Sequence, residues 1–154
     1  MDISQIWWNM PKLYIDADGC PVVEESVDIA KAFGIEAVIV CDTSHFFSND
    51  AAQVIFADKG RDASDFVLLR YLKKNDIIVT QDYGLAALAL AKQAVCISQN
   101  GMYYTQQNID ELLTQRHSSA KDRKHGIHTH HKKRTHEDDD KFCEALELLL
   151  SSME

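Results

Sequence analysis

The stretch LYIDADGCP, Leu13 to Pro21, sets Asp16 and Asp18 one residue apart directly after an apolar run. Two carboxylates so placed suit a plain turn, a metal site, or the nucleophile loop of a phosphotransfer enzyme. Further acids follow other apolar runs: Asp42 in VCDTSHFF, Asp82 in IIVTQDYG, and Asp62 with Asp65 in GRDASDF. Like charges brought together raise one another's pKa and repel unless a cation neutralises them. Hard oxygen donors of this type suit Mg²⁺ or Mn²⁺, which hold a water nucleophile and a phosphate oxygen together. Each acid also has an ordinary structural use. Asp62 suits a helix N-cap, and Asp65 a first helical turn, where it complements the dipole. Asp18-Gly19 is a common turn dipeptide, and Asp42 before Thr43-Ser44 suits a loop cap. Asp16 and Asp82 resist that account, because an unpaired carboxylate at the end of a buried strand is costly. The constellation carries the signal; no single acid does.

The elements that must position these acids alternate along the chain. Apolar runs KLYI, EAVIVC, AQVIFA, DIIVT and AVCIS read as five strands. Amphipathic or Ala/Leu-rich runs between them read as helices: PVVEESVDIAKAF, with Pro21 near its first turn and Gly34 past its end, then ASDFVLLRYLKK and GLAALALAKQ. NIDELLTQ reads as a short helix, with Asn108 as N-cap and Glu111 closing a capping box. Strands alternating with helices imply right-handed βαβ units and a parallel sheet covered on both faces. The near-continuous apolar strands agree, since parallel strands are buried on both sides. Ligands in such sheets bind outside the carboxyl ends of the strands, which is the edge where the acids fall.

The 154 residues suit one domain with a continuous core, and 45% hydrophobic with 26% charged residues is a globular composition. No apolar run approaches the roughly 20 residues of a membrane span. Residues 1–9 read as an extension without the basic and apolar regions of a secretory signal. Cys20, Cys41, Cys96 and Cys143 are scattered with no CxxC pair, as in a cytoplasmic protein with reduced thiols. The net charge of −8 hides an asymmetry: Arg116 to His136 holds seven Lys/Arg against one Asp, leaving −14 for the remainder. Apolar content collapses from His117 to Asp140, which reads as a loop, and FCEALELLL resumes as an amphipathic helix. The divisions expected are 1–9, a domain over 10–116, the basic His-rich loop 117–140, and a C-terminal helix over 141–154 packing back on the core.

LYIDADGCPVVEE, GRDASDFVLLRYLKKNDIIVTQDYGLAALAL and NGMYYTQQNIDELL together resemble the uncharacterised bacterial YaiI/YqxD family, which is similar to the PIN-domain nucleases. The resemblance spans roughly Lys12 to Leu150. It implies a three-layer α/β/α PIN-like fold with a mainly parallel central sheet and a metal-dependent nuclease site. Asp16 matches the acid after the first PIN strand, Asp65 the acid opening the helix of ASDFVLL, and Asp82 that of the TxD turn. Asp18 and Asp62 match additional acids of the YaiI/YqxD pattern. The mid-chain Glu of many PIN nucleases has no counterpart here unless Asp62 replaces it.

The activity this implies is phosphodiester hydrolysis, of RNA ahead of DNA, with Asp16, Asp65 and Asp82 holding Mg²⁺ or Mn²⁺. Thr80 and Ser44 would hold waters or a phosphate. Lys59 and Arg61 would position backbone phosphates, and the basic segment with Arg116 and Arg123 would attract the nucleic acid. Homo-oligomerisation stays open. Two rivals compete. A PIN-like module would bind RNA or protein and chelate metal without turnover. A haloacid-dehalogenase-like phosphatase would use Asp16 as nucleophile and Asp18 as general acid, but no late double-aspartate motif follows a strand. Cys20 lacks the arginine spacing of a thiol phosphatase: position 26 is Ser26. His125, His128, His130, His131 and His136 would take Zn²⁺ or Ni²⁺ opportunistically, without the scaffold of a structural site.

Overall fold

The computed structural model describes residues 10–42, 50–57, 63–124, 126 and 132–153. Strands β1 (Leu13–Asp16), β2 (Ala37–Asp42), β3 (Gln53–Ala57), β4 (Ile77–Val79), β5 (Val95–Ile97) and β6 (Tyr103–Tyr104) form one sheet in the order β3-β2-β1-β4-β5-β6. The first five run parallel, and β6 closes the edge antiparallel to β5. The helices are α1 (Val23–Ala32), α2 (Ala63–Tyr71), α3 (Tyr83–Ala91), α4 (Gln106–Lys124) and α5 (His136–Ser152). This is the three-layer α/β/α arrangement that the alternating runs imply.

Side-chain alternation along the strands sorts the core into two halves. Leu13, Ile15, Ile39, Cys41, Ile77, Val79 and Ile97 meet Val27 and Ala30 of α1 and Phe142, Leu146 and Leu150 of α5. On the other face, Tyr14, Val38, Val40, Ile78, Cys96 and Tyr104 meet Leu68 of α2, Leu85, Ala86 and Ala89 of α3, and Ile109 of α4. Phe142, Leu146 and Leu150 recur every fourth residue, so one stripe of α5 is fully buried. Gly101, in the β5–β6 turn at φ +86°, lets α5 come close: a Cβ there would stand 2.9 Å from the Lys141 carbonyl oxygen.

Two helices end in the same motif with different residues. After α1, Ile35 N–H donates to Ala30 O and Gly34 N–H to Lys31 O, with Gly34 at φ +71°. After α3, Ala94 N–H donates to Ala89 O and Gln93 N–H to Leu90 O, with Gln93 at φ +65°. Both are Schellman caps.

Three expectations change. Residues 117–124 are not loop: α4 carries through them to Lys124, and α5 opens at His136 rather than at position 141. Low apolar content predicts a loop there, yet SSAKDRK contains good helix formers. The start of α5 is set by a capping box in which Thr135 and Asp138 exchange side-chain bonds to backbone N–H groups. The cap of α4 likewise lies earlier than Asn108: Thr105 N–H donates to Asn108 Oδ1, and Asn108 N–H to Thr105 Oγ1. The third change is β6, too short to announce itself in the sequence. No helix among the described residues is long and apolar enough to cross a membrane.

Candidate metal-binding carboxylate site

The strand order puts β1 beside β4, so the chain reverses its direction of progress across the sheet between these two strands. Crevices at such switch points, on the carboxyl side, are where open α/β sheets hold ligands. Asp16 is the last residue of β1, and Thr80 directly follows β4.

Thr80 organises the crevice. Its hydroxyl donates to Asp16 Oδ2 at 2.8 Å and accepts from Asp82 N–H at 3.0 Å. Its own backbone is held on both sides, N–H to Ile97 O and carbonyl to the Tyr104 hydroxyl at 3.1 Å. Asp82 then caps α3, with Oδ1 accepting from Leu85 N–H at 3.1 Å. Asp18 reaches across to β2, where both its oxygens accept from Asp42 N–H at 3.2 and 3.1 Å. Each acid at this crevice thus has backbone or hydroxyl donors that fix it in place.

Electrostatically the crevice gathers the negative charges of Asp16, Asp18 and Asp82. Burial pushes the Asp16 carboxyl up to about 6; the Thr80 hydrogen bond opposes that, and the charges of Asp18 and Asp82 add to it. Among the described residues no hydrogen bond reaches Asp16 Oδ1. Cys20, in the loop after Asp18, is a packed thiol: burial raises it to about 11, against any nucleophilic use. All four cysteines are free.

The structure therefore brings together Asp16, Asp18, Asp82 and Thr80. Asp65 sits partly buried in the first turn of α2, which opens at Ala63 after β3 closes at Ala57, on the carboxyl side of the sheet. Asp62, Ser44, Lys59 and Arg61 lie outside the described residues, as do His125, His128, His130 and His131. Arg116 and Arg123 belong to the backbone of α4, and their side chains lie outside the description. Sequence reasoning passed over Tyr104, which buttresses Thr80, and Arg134, which bonds to the turn after β5. The first carried no signal beyond an apolar run, and the second was one cation in a run of three.

Among the described residues no group of three or more His, Cys, Asp or Glu side chains is arranged to hold a metal ion. The donor chemistry nevertheless fits Mg²⁺ or Mn²⁺. Mg²⁺ keeps several waters and is commonly held by only one or two carboxylates plus substrate phosphates. Asp16, its carboxyl raised first by burial and then by the charges of Asp18 and Asp82, would offer one such oxygen, and Asp82 a second.

Comparison with known proteins is consistent with one family. The model of the YaiI/YqxD family, described as uncharacterised, matches residues 14–152. A UPF0178 protein of Alkaliphilus oremlandii is 48% identical over 132 residues, 85% of each chain. Those of Exiguobacterium sibiricum and Natranaerobius thermophilus are 45% and 41% identical, over 91% and 92% of this chain and 96% and 97% of their own. Among solved structures, a single-substitution mutant of Rae1 (YacP) from Bacillus subtilis is similar at a TM-score of 0.48 and 11% identity. That likeness covers 94% of this chain and 100% of the other.

Proposed function

The chain belongs to the YaiI/YqxD family, and from its crevice of acids we propose a divalent-metal-dependent nuclease that hydrolyses phosphodiester bonds, RNA ahead of DNA. The observation that supports this most is Asp16: a strand-end carboxylate in a switch-point crevice, raised to about 6 by burial and by two neighbouring acids. A carboxyl perturbed by burial together with specific neighbouring charges, in a cleft, is a functional-site candidate. The PIN-like resemblance of the motifs supports the same reading.

Asp16 and Asp82 would hold the ion, with Asp65 contributing from the start of α2. The ion, when bound, supplies charge neutralisation at phosphorus and an acidified water. Thr80 keeps Asp16 in orientation through its 2.8 Å hydrogen bond and ties that strand end to Asp82. Asp18 braces the loop to β2, which holds the mouth of the crevice in shape.

Asp18 also bears on the phosphatase rival. A general acid donates a proton, whereas both Asp18 oxygens accept from one backbone N–H. The binding-module reading draws on the lack of a three-ligand group among the described residues. Incubation of the purified chain with Mn²⁺ and labelled single-stranded RNA separates the cases. Metal-dependent cleavage that Asp16→Asn abolishes is the expected result. Binding without cleavage by the wild-type chain at any Mn²⁺ concentration overturns the nuclease in favour of the module.

A further inference from the structure

We propose that Arg134 is a backbone-phosphate contact for single-stranded RNA, held at the carboxyl side of the sheet beside the acidic crevice; this rests on the nuclease reading above. Its guanidinium is pinned on three sides. Nε donates to Asp139 Oδ1 at 2.6 Å, Nη1 to Asn100 Oδ1 at 2.6 Å, and Nη2 to the Gln99 carbonyl at 2.7 Å. Gln99 in turn donates its N–H to Gln81 Oε1 at 3.0 Å, and Gln81 lies between Thr80 and Asp82. A line of hydrogen bonds thus runs from the crevice through Gln81 and Gln99 to Arg134. Cys20 feels the charges of both Asp16 and Arg134, which sets the guanidinium close to the same loop. Strand spacing gives the scale: β5 lies two strands from β1, roughly 10 Å away.

Three bonds leave two of the five guanidinium N–H groups. The side chain keeps 22% exposure, and Lys132 and Lys133 immediately before it are exposed. A planar donor fork held rigid by its neighbours loses little freedom on meeting a phosphate, unlike a surface lysine. Asp139 offsets part of the charge, so the role inferred is orientation and hydrogen bonding at one phosphate. A cation beside an acidic centre favours the approach of a negative phosphate backbone to it.

The test measures anisotropy of a labelled single-stranded oligoribonucleotide without metal, and KM and kcat with Mn²⁺. Arg134→Gln should weaken binding about tenfold, the worth of one charge-assisted hydrogen bond pair. It should also lower the salt slope by about 0.7, one phosphate on a single strand. KM should rise with kcat within about twofold, as for lost uniform binding. Asp139→Ala removes the ion pair but leaves the guanidinium, so binding should hold. Equal losses in Arg134→Gln and Asp139→Ala, or none in either, overturn the proposal in favour of a structural latch. Should Arg134→Gln fail to fold, Arg134→Lys, which keeps the charge and loses the planar fork, should weaken binding with the salt slope unchanged, and binding equal to the wild type overturns the proposal. Absence of cleavage by the wild type, with binding lost only in Arg134→Gln, sinks the nuclease and leaves this contact standing.

Discussion

Asp16 is where chemistry and stability conflict in one side chain. Its carboxyl is pushed up to about 6, above the 3.8 of an unfolded aspartate, first by burial and then by Asp18 and Asp82. A raised carboxyl contributes stability that is fully present below the unfolded value and lost as pH rises through the folded one. Asp16→Asn, neutral at every pH and of the same shape, should therefore melt above the wild type at pH 8 in EDTA. The gap should close between pH 6 and pH 4. Paired thermal melts across that range check it, and a gap independent of pH would contradict the placement of Asp16. At this scale the sequence was informative about Asp16, Asp18, Asp82 and Thr80, because all four flank strand ends that apolar runs make recognisable. It was silent on Tyr104 and Arg134, whose roles depend on contacts across 24 and 35 residues of chain.

Helix ends make the element scale testable with little ambiguity. Gly34 and Gln93 close the same cap at nearly the same φ, but only glycine holds that conformation without strain from a Cβ. Gln93→Gly should stabilise the chain by about 1 kcal/mol, the lower part of the cost of a left-handed residue. Gly34→Ala should destabilise it by about 1 kcal/mol, and nothing stands within 4 Å of the added methyl to confuse the reading. Denaturant melts of both variants give the signs; equal signs would mean that packing, not backbone strain, governs these caps. The five parallel strands were legible within a residue at their ends; the helices were less so, since α2 stops three residues before ASDFVLLRYLKK does and α5 opens well before FCEALELLL. The polar half of α4 was not legible, since a run with so little apolar content offers no stripe to detect. The two-residue β6 was hidden for a different reason: its pairing with β5 depends on a turn whose Gly101 fits under α5.

At the scale of the whole molecule, the strand order does what no local pattern can: it collects acids from Asp16 to Asp82 at one crevice. Alternation of strands and helices was enough to foresee a parallel sheet with acids at its carboxyl side. The order itself, and hence which acids become neighbours, follows from long-range pairing such as Leu13 with both Ala37 and Ile77. This assembly has a thermodynamic consequence separate from catalysis. An ion that binds the folded crevice and not the unfolded chain stabilises by mass action, about 2.7 kcal/mol at a hundredfold excess over its Kd. For a chain of this size that is a rise in Tm of roughly 5–10 °C. Mn²⁺ should therefore raise the Tm of the wild type and EDTA should reverse it, whether or not any RNA is cut. Asp16→Asn should lose the rise while keeping its own higher Tm in EDTA, because the same burial that makes Asp16 costly to ionise makes it the oxygen an ion most stabilises. If the wild type melts identically with and without Mn²⁺, the crevice holds no such ion, and the acids at this edge serve only to shape its loops.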